Sequence, residues 1–389
     1  MELEEVIEAY FDCRHNKRNT MNALRFEIDY ETECIRLWEE IEARRYEPNR
    51  SIAFVIEDPV KREIFAADFR DRVVHHIIAR RIYPLLEKQF HPESYSTQKG
   101  KGTLYGIQHI EQHIRDCSEN YTRDCYIMKL DISGFFMSIE KQKLFDCVMR
   151  FVGRHFSGQA YDELEYLLEK TIFNRPELDC VFKVPRRKWK GLPANKSLLG
   201  TDGKSGLPIG NLTSQLLALL YLDELDHLVT GEWGVVHYGR YVDDMVLVHP
   251  SKQHLLEVRN KISDWLEAHG LRLHPRKMYL QHYKKGVKFI GGVIKPGRKY
   301  VTNRTTGRLF SKMSRFDHIL GDARKVGKQV LKELLATMNS YLGMMCHYDA
   351  QRLFRRVLAR LSARWYRFVY VSSRARRHKL VLRQAYVLS

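Results

Sequence analysis

The sequence predicts an α+β fold built on a split βαβ sheet with helices on one face. Three observations carry that expectation. Short apolar strands meet acids in 125-CYIMKLD-131 and in the two arms of 236-VHYGRYVDDMVLV-248, and they alternate with helical periodicity over residues 213–229 and 254–270. Hydrophobic residues make up 44% of the chain and charged residues 29%, a balance that lets a soluble globular protein bury a core. The length, 389 residues, suggests two or three compact units.

Taken in order, residues 1–50 read as helical and end near Pro48, with 22–45 the clearest amphipathic segment. A basic, β-rich portion follows at 54–67, then a helix over 71–90 that Pro84 should bend. Residues 125–131 form a short strand ending in Asp131. Pro, Gly and the basic-aromatic run 181-VFKVPRRKWKG-191 mark 174–206 as an inserted loop or hairpin. A helix from about Thr213 to Val229 is apolar on most sides and therefore deeply buried. The hairpin at 236–248 comes next, then an amphipathic helix over 254–270 with Gly270 as its C-cap. Short strands at 278–283 and 287–294 precede a basic helical region from about residue 303. Within it Leu353, Val357, Leu361, Trp365 and Phe368 recur at helical spacing while Arg352, Arg356, Arg360 and Arg367 occupy other positions, as in a docked helix with a basic outer stripe.

Charge narrows the partners. The chain carries a formal +18, and ten arginines and one lysine from Gln351 onward, with no Asp or Glu, supply +11 of it. Such a surface attracts polyanions by counterion release, so nucleic acid is the expected partner. No apolar run approaches the roughly 20 residues needed to span a bilayer, which excludes a membrane role. The N-terminus begins acidic and lacks the pattern of a secretory signal, so a cytoplasmic location is expected. The seven cysteines are odd in number, scattered and without a Cys-x-x-Cys pair, and read as reduced thiols.

The acids at the strand ends carry the chemistry. Two adjacent carboxylates at the tip of a buried hairpin are costly unless a cation compensates them. With Asp131, at the end of its own strand, Asp243 and Asp244 form a set able to hold two magnesium ions, because Mg2+ prefers carboxylate and phosphate oxygen. A metal pair about 4 Å apart activates an attacking hydroxyl and stabilises a leaving pyrophosphate, the chemistry of nucleotidyl transfer.

These residues also resemble a known family. The segments 126-YIMKLDISGFF-136, 207-LPIGNLTSQ-215 and 238-YGRYVDDMVLV-248, in this order, are similar to motifs A, B and C of reverse transcriptases. The segment 61-KREIFAADFRDRVVHH-76 resembles the fingers motif, 270-GLRLHPRKMYL-280 motif D, and 287-VKFIGG-292 the segment closing the palm. The resemblance implies a right-hand polymerase with a ferredoxin-like palm sheet: an N-terminal helical segment (1–50), fingers (51–124), palm (125–302, with the insertion 174–206) and a basic helical thumb (303–389). Motif B narrows it further. Ile209-Gly210 and Ser214-Gln215 stand where most bacterial enzymes have Gln-Gly and Ser-Pro, and this form is similar to the reverse transcriptases of diversity-generating retroelements. That group copies a template-repeat RNA with errors at adenines.

By position, the resemblance implies further roles. Asp131, Asp243 and Asp244 are the catalytic metal ligands, completed by the carbonyl of Ile132. Phe136 is the steric gate against a 2′-hydroxyl, while Lys61 and Arg62 meet the incoming triphosphate, a solvated surface being the alternative for Lys61. Ile209, Gly210 and Gln215 line the nucleotide pocket; Lys277 protonates pyrophosphate or is a plain surface lysine. Arg352, Arg356 and Arg360 grip the template RNA and the RNA/cDNA duplex. The substrates are deoxynucleoside triphosphates and the further partner a small helical accessory variability protein. An intron-like or defence-associated reverse transcriptase, and a non-catalytic RNA-binding scaffold, are the competing readings.

Overall fold

The computed structural model describes residues 1–15, 20–57, 60–322, 326–374 and 377–383. Apolar periodicity at the N-terminus closes into helices α1 (Leu3–Arg14), α2 (Met21–Ile28) and α3 (Tyr30–Glu42). The single helix expected over 22–45 is thus two, because Asp29 leaves helical space at φ −137° and ψ 50°. Strands β1 (Ser51–Ile56) and β2 (Arg62–Ala66) pair antiparallel, from Ile52 opposite Ala66 to Ile56 opposite Arg62. Asp68 then caps α4 (Phe69–Gln89) by accepting the Arg70 N–H at 3.2 Å, and Pro84 lies inside that helix. Helix α5 (Thr103–Cys117) leads to β3 (Tyr126–Asp131), the one-turn α6 (Phe135–Ser138), and the amphipathic α7 (Lys141–His155) and α8 (Gly158–Ile172).

The insertion folds as β4 (Cys180–Phe182) and two 3-10 turns, Arg186–Trp189 and Ala194–Lys196. The buried helix expected over 213–229 divides into α9 (Leu212–Tyr221), α10 (Asp223–His227) and a π turn at Leu228–Glu232. Strands β5 (His237–Tyr241) and β6 (Asp244–His249) make the hairpin, followed by α11 (Lys252–Ala268). Gly270 ends α11 at φ 73°, and the Leu271 N–H returns to the Leu266 carbonyl at 2.8 Å, the cap the sequence predicts. Then come β7 (Tyr279–His282), β8 (Val287–Phe289), β9 (Gly292–Lys295), β10 (Arg298–Val301), α12 (Asn303–Leu320), α13 (Lys328–Met345), α14 (Gln351–Leu358), α15 (Ala363–Tyr366), β11 (Val369–Arg374) and β12 (Arg377–Leu382).

The sheet that carries the acids has four strands in the order β5-β6-β3-β7. Met245, Val246, Leu247 and Val248 are wholly buried in it, each worth about 1.5–3 kcal/mol of apolar burial. A second sheet, β2-β1-β4, shows where the insertion belongs: β4 runs parallel to β1, Ser51 opposite Cys180, instead of joining the sheet of the acids.

The chain divides into two compact units, residues 1–102, 129–245 and 253–279 in the first, and 103–128, 246–252 and 280–389 in the second. In the first, Arg81 of α4 pairs with Glu5 of α1 at 2.5 Å and with Glu163 of α8 at 2.8 Å. The second is centred on Leu334, Met338 and Trp365, all fully buried. Its end departs from the helix expected beyond residue 351. After α15 the β-branched run at Val369 pairs in a β11–β12 hairpin, and Asn339 fastens it through bonds of 2.9 and 2.7 Å to the Leu380 carbonyl and N–H. The seven cysteines are free thiols. Among the described residues, no helix is long and apolar enough to cross a membrane.

Candidate active site

Period-two alternation along β3 puts Lys129 and Asp131 on one face, with Leu130 on the other, fully buried. The hairpin brings the other two acids there. Only two residues, Val242 and Asp243, join β5 to β6, and Val242 has a φ of 58°. A positive φ at the first loop residue is the type II′ pattern, in which glycine is at home, and a β-branched residue held there costs about 1–3 kcal/mol. The turn is tied down next to Asp131: the Ile132 N–H donates to the Asp243 carbonyl at 3.2 Å.

The three carboxylates interact. Burial, then the charges of Asp131 and Asp244, push Asp243 up to about 6. Burial also raises Asp244, against the pull of Lys129, whose ammonium lies 3.0 Å away. Lys277 donates to both oxygens of Asp131, at 2.8 and 3.0 Å. Asp243 makes no salt bridge among the described residues. Two lysines for three acids leave negative charge uncompensated where the ends of the two inner strands, β3 and β6, meet. The donors are all hard carboxylate oxygen, so the residues present fit a divalent cation such as Mg2+.

The segment carrying Ile209 and Gly210 docks between β2 and α6. The Phe65 N–H donates to the Ile209 carbonyl at 3.1 Å, and the Leu207 N–H to the Phe136 carbonyl at 2.8 Å. Gly210 has a φ of 121°, and a Cβ there would stand 2.8 Å from Ile64 Cγ2, so glycine is required. Phe136 and Ile209 pack, partly exposed, against one apolar cluster of Ala53, Phe65, Met137 and Leu198. Gln215 stands exposed on the first turn of α9. Arg62, at the start of β2, is exposed, whereas Lys61 donates to the Lys190 carbonyl at 2.8 Å. These residues all lie in the first unit. Arg352, Arg356 and Arg360 lie in the second and are exposed, with the guanidinium groups of Arg356 and Arg360 5.1 and 4.0 Å from the Phe310 ring centre.

Sequence reasoning missed four charged side chains that shape the site and its surroundings. Lys129 had a signal, its two-residue spacing from Asp131. Glu63 is 1% exposed and anchors the insertion, accepting from Trp189 Nε1 at 2.6 Å, Ser197 Oγ at 2.7 Å and the Leu198 N–H at 2.7 Å. Asp226 and Arg240 form a wholly buried ion pair behind the hairpin, and their separation in sequence concealed it.

Among solved structures, the chain is similar to apo telomerase from Candida tropicalis truncated from the C-terminal domain, at 14% identity over 65% of this chain and 55% of that one, TM-score 0.46. It is also similar to telomerase from Candida albicans in complex with a TWJ fragment of telomeric RNA, at 13% identity over 83% and 59%, TM-score 0.47. The chain thus spans little more than half the length of either. No curated protein sequence matches it. The reverse transcriptase (RNA-dependent DNA polymerase) family matches residues 60–294, more than half of the chain and all three acids. On that match, the chain belongs to the reverse transcriptase family.

Proposed function

We propose that this protein is a Mg2+-dependent RNA-directed DNA polymerase that copies a template-repeat RNA into error-prone cDNA in a diversity-generating retroelement. The observation that carries the polymerase reading is the meeting of Asp131, Asp243 and Asp244 at the ends of the inner strands β3 and β6, with Asp243 outside any salt bridge among the described residues. When bound, two ions supply Lewis acidity at the primer 3′-hydroxyl and charge compensation at the pyrophosphate. The carboxylates, with the Ile132 carbonyl, would hold them, which requires Lys129 and Lys277 to give up Asp244 and Asp131. Lys277, half exposed, is then close enough to Asp131 to serve the departing pyrophosphate as proton donor. Arg62 offers bidentate donors to the triphosphate, and the ring of Phe136 disfavours a 2′-hydroxyl.

In this reading residues 51–124 are fingers, 125–302 palm and 303–389 thumb, with β4 of the insertion assigned to the fingers sheet by its pairing with β1. Arg352, Arg356 and Arg360 serve the template RNA and the RNA/cDNA duplex. Ile209 and Gln215 support the retroelement subtype, and with it a small helical accessory variability protein as partner. Each tenfold loss of fidelity needs only about 1.4 kcal/mol, within reach of two pocket substitutions.

The test is primer extension on RNA by the purified protein, followed by sequencing of the cDNA made with and without the accessory protein. Extension that EDTA abolishes, with errors concentrated at template adenines, is the expected result. No extension on RNA would refute the polymerase reading. Errors spread evenly over the bases would move the assignment to an intron-like or defence-associated enzyme.

A further inference from the structure

We propose that Arg240 is a positioning residue for this reaction, its buried guanidinium, locked by Asp226, holding the strained turn that presents Asp243 and Asp244. The inference rests on the polymerase reading above and adds a residue to its machinery. Arg240, Asp226 and Tyr238 are all fully buried. Arg240 Nε donates to Asp226 Oδ1 at 2.7 Å, Nη2 donates to Oδ2, and the Tyr238 hydroxyl donates to Oδ1 at 2.6 Å. The carboxylate thereby fixes the guanidinium plane, leaving Nη1 to donate to the Val242 carbonyl at 3.0 Å. The backbone at Arg240 is fixed as well: its N–H donates to the Glu93 carbonyl and its carbonyl accepts the Tyr95 N–H, both at 2.9 Å.

The arrangement clamps the turn from two sides. Val242 sits at a φ of 58°, where its own side chain disfavours staying. Its carbonyl is held by Arg240, and the next carbonyl, that of Asp243, by the Ile132 N–H at 3.2 Å. Successive peptides of the acid-bearing turn are therefore tied to two different elements. Fold stability alone gives no reason for a charge pair in this place, because apolar residues of similar volume often replace buried pairs at no loss. A lysine would keep the charge but lack the rigid fork that meets Asp226 and Val242 together.

The experiment compares wild-type protein with an Asp226→Leu/Arg240→Met double variant. Primer extension is read alongside the Mg2+ concentration giving half the maximal thermal shift. The double variant should melt within a few degrees of wild type, need about 10- to 100-fold more Mg2+, and lose kcat by a similar factor, with KM for the deoxynucleotide changed about threefold at most. Adding Val242→Gly, which relieves the positive φ, should restore part of kcat, an effect that a purely structural pair would not produce. A folded double variant with wild-type kcat and Mg2+ midpoint would overturn the inference, as would a failure of Val242→Gly to restore any rate. If the double variant does not fold, Arg240→Lys is read against the same expectations, and wild-type values in it overturn the inference equally. A wild-type protein that extends nothing would sink the polymerase reading instead, and the Mg2+ midpoints would still decide the role of Arg240.

Discussion

Charge is used in opposite ways in two regions of this chain. At the β5–β6 turn the charged groups are few and, Asp243 apart, individually partnered: Arg240 with Asp226, Lys129 with Asp244, Lys277 with Asp131. On α14 and just beyond it Arg352, Arg356 and Arg360 stand exposed and make no salt bridge among the described residues, and only the Phe310 ring lies beneath two of them. In the first region position is everything, since a carboxylate displaced by an ångström no longer meets its cation. In the second only the summed field matters, and one arginine can stand in for another. Burial therefore concentrates the consequence of a mutation in single atoms, whereas exposure spreads it over a surface and makes it depend on salt.

The largest effect should come from the turn. Asp243→Asn is expected to lower the extension rate about a thousandfold or more, equivalent to about 4 kcal/mol, with RNA affinity unchanged because the basic surface is untouched. A rate within tenfold of wild type would remove the turn from the chemistry. Replacing Arg352, Arg356 and Arg360 together by Gln should do the reverse. Affinity for template-primer should fall about 10- to 100-fold at 0.15 M salt, the slope of log affinity against log salt should flatten by about 2–3, and the rate at saturation should hold. An unchanged slope would return the exposed arginines to a solvated helix face. Glu63→Gln tests whether a single buried atom also governs the insertion: loss of charge-assisted bonds to Trp189, Ser197 and Leu198 should cost about 1–3 kcal/mol, seen as a lower Tm. An unaltered Tm would assign that acid to the solvent-like class.

The smallest effect is a pH dependence of the metal-free protein. Asp243 is raised from 3.8 to about 6 in the folded state, so folding favours its protonated form. Its stabilising contribution is complete below about pH 4 and disappears as pH rises through 6. The same holds for Asp71, raised to about 6 by burial. Denaturant unfolding in EDTA should therefore show stability falling between pH 4 and 7, less steeply in Asp243→Asn, which lacks one of the raised carboxyl groups. Identical slopes in both proteins would show that Asp243 does not titrate in that window.

The two regions also differed in what their residues disclosed before folding. Asp131, Asp243 and Asp244 were legible because each breaks an apolar strand, a local signal that needs no tertiary knowledge. The exposed arginines were legible from charge alone. The Arg240–Asp226 pair was not, since an Arg in a strand and an Asp in a helical turn acquire meaning only when the fold brings them together. Glu63 went unread between Arg62, assigned to the incoming triphosphate, and the apolar residues that follow, although alternation along β2 turns Glu63 to the buried face opposite Arg62. Near the C-terminus, apolar spacing through Phe368 imitated a continuing helix, while Val369, Val371 and the facing Leu380 and Leu382 had the alternation of a hairpin. Helix and strand periods overlap in so short a run, and pairing with a partner strand decided the matter.

The central claim is that the three acids form a divalent-cation site and not a solvated turn. Mg2+-induced thermal stabilisation at pH 7.5, measured without nucleic acid in wild type and Asp243→Asn side by side, tests it most directly. Wild type should gain stability with Mg2+ as the repulsion among its carboxylates is relieved, by RT ln(1 + [L]/Kd), and the variant should gain little or none. Equal stabilisation of both proteins would place the bound cation elsewhere and contradict the account.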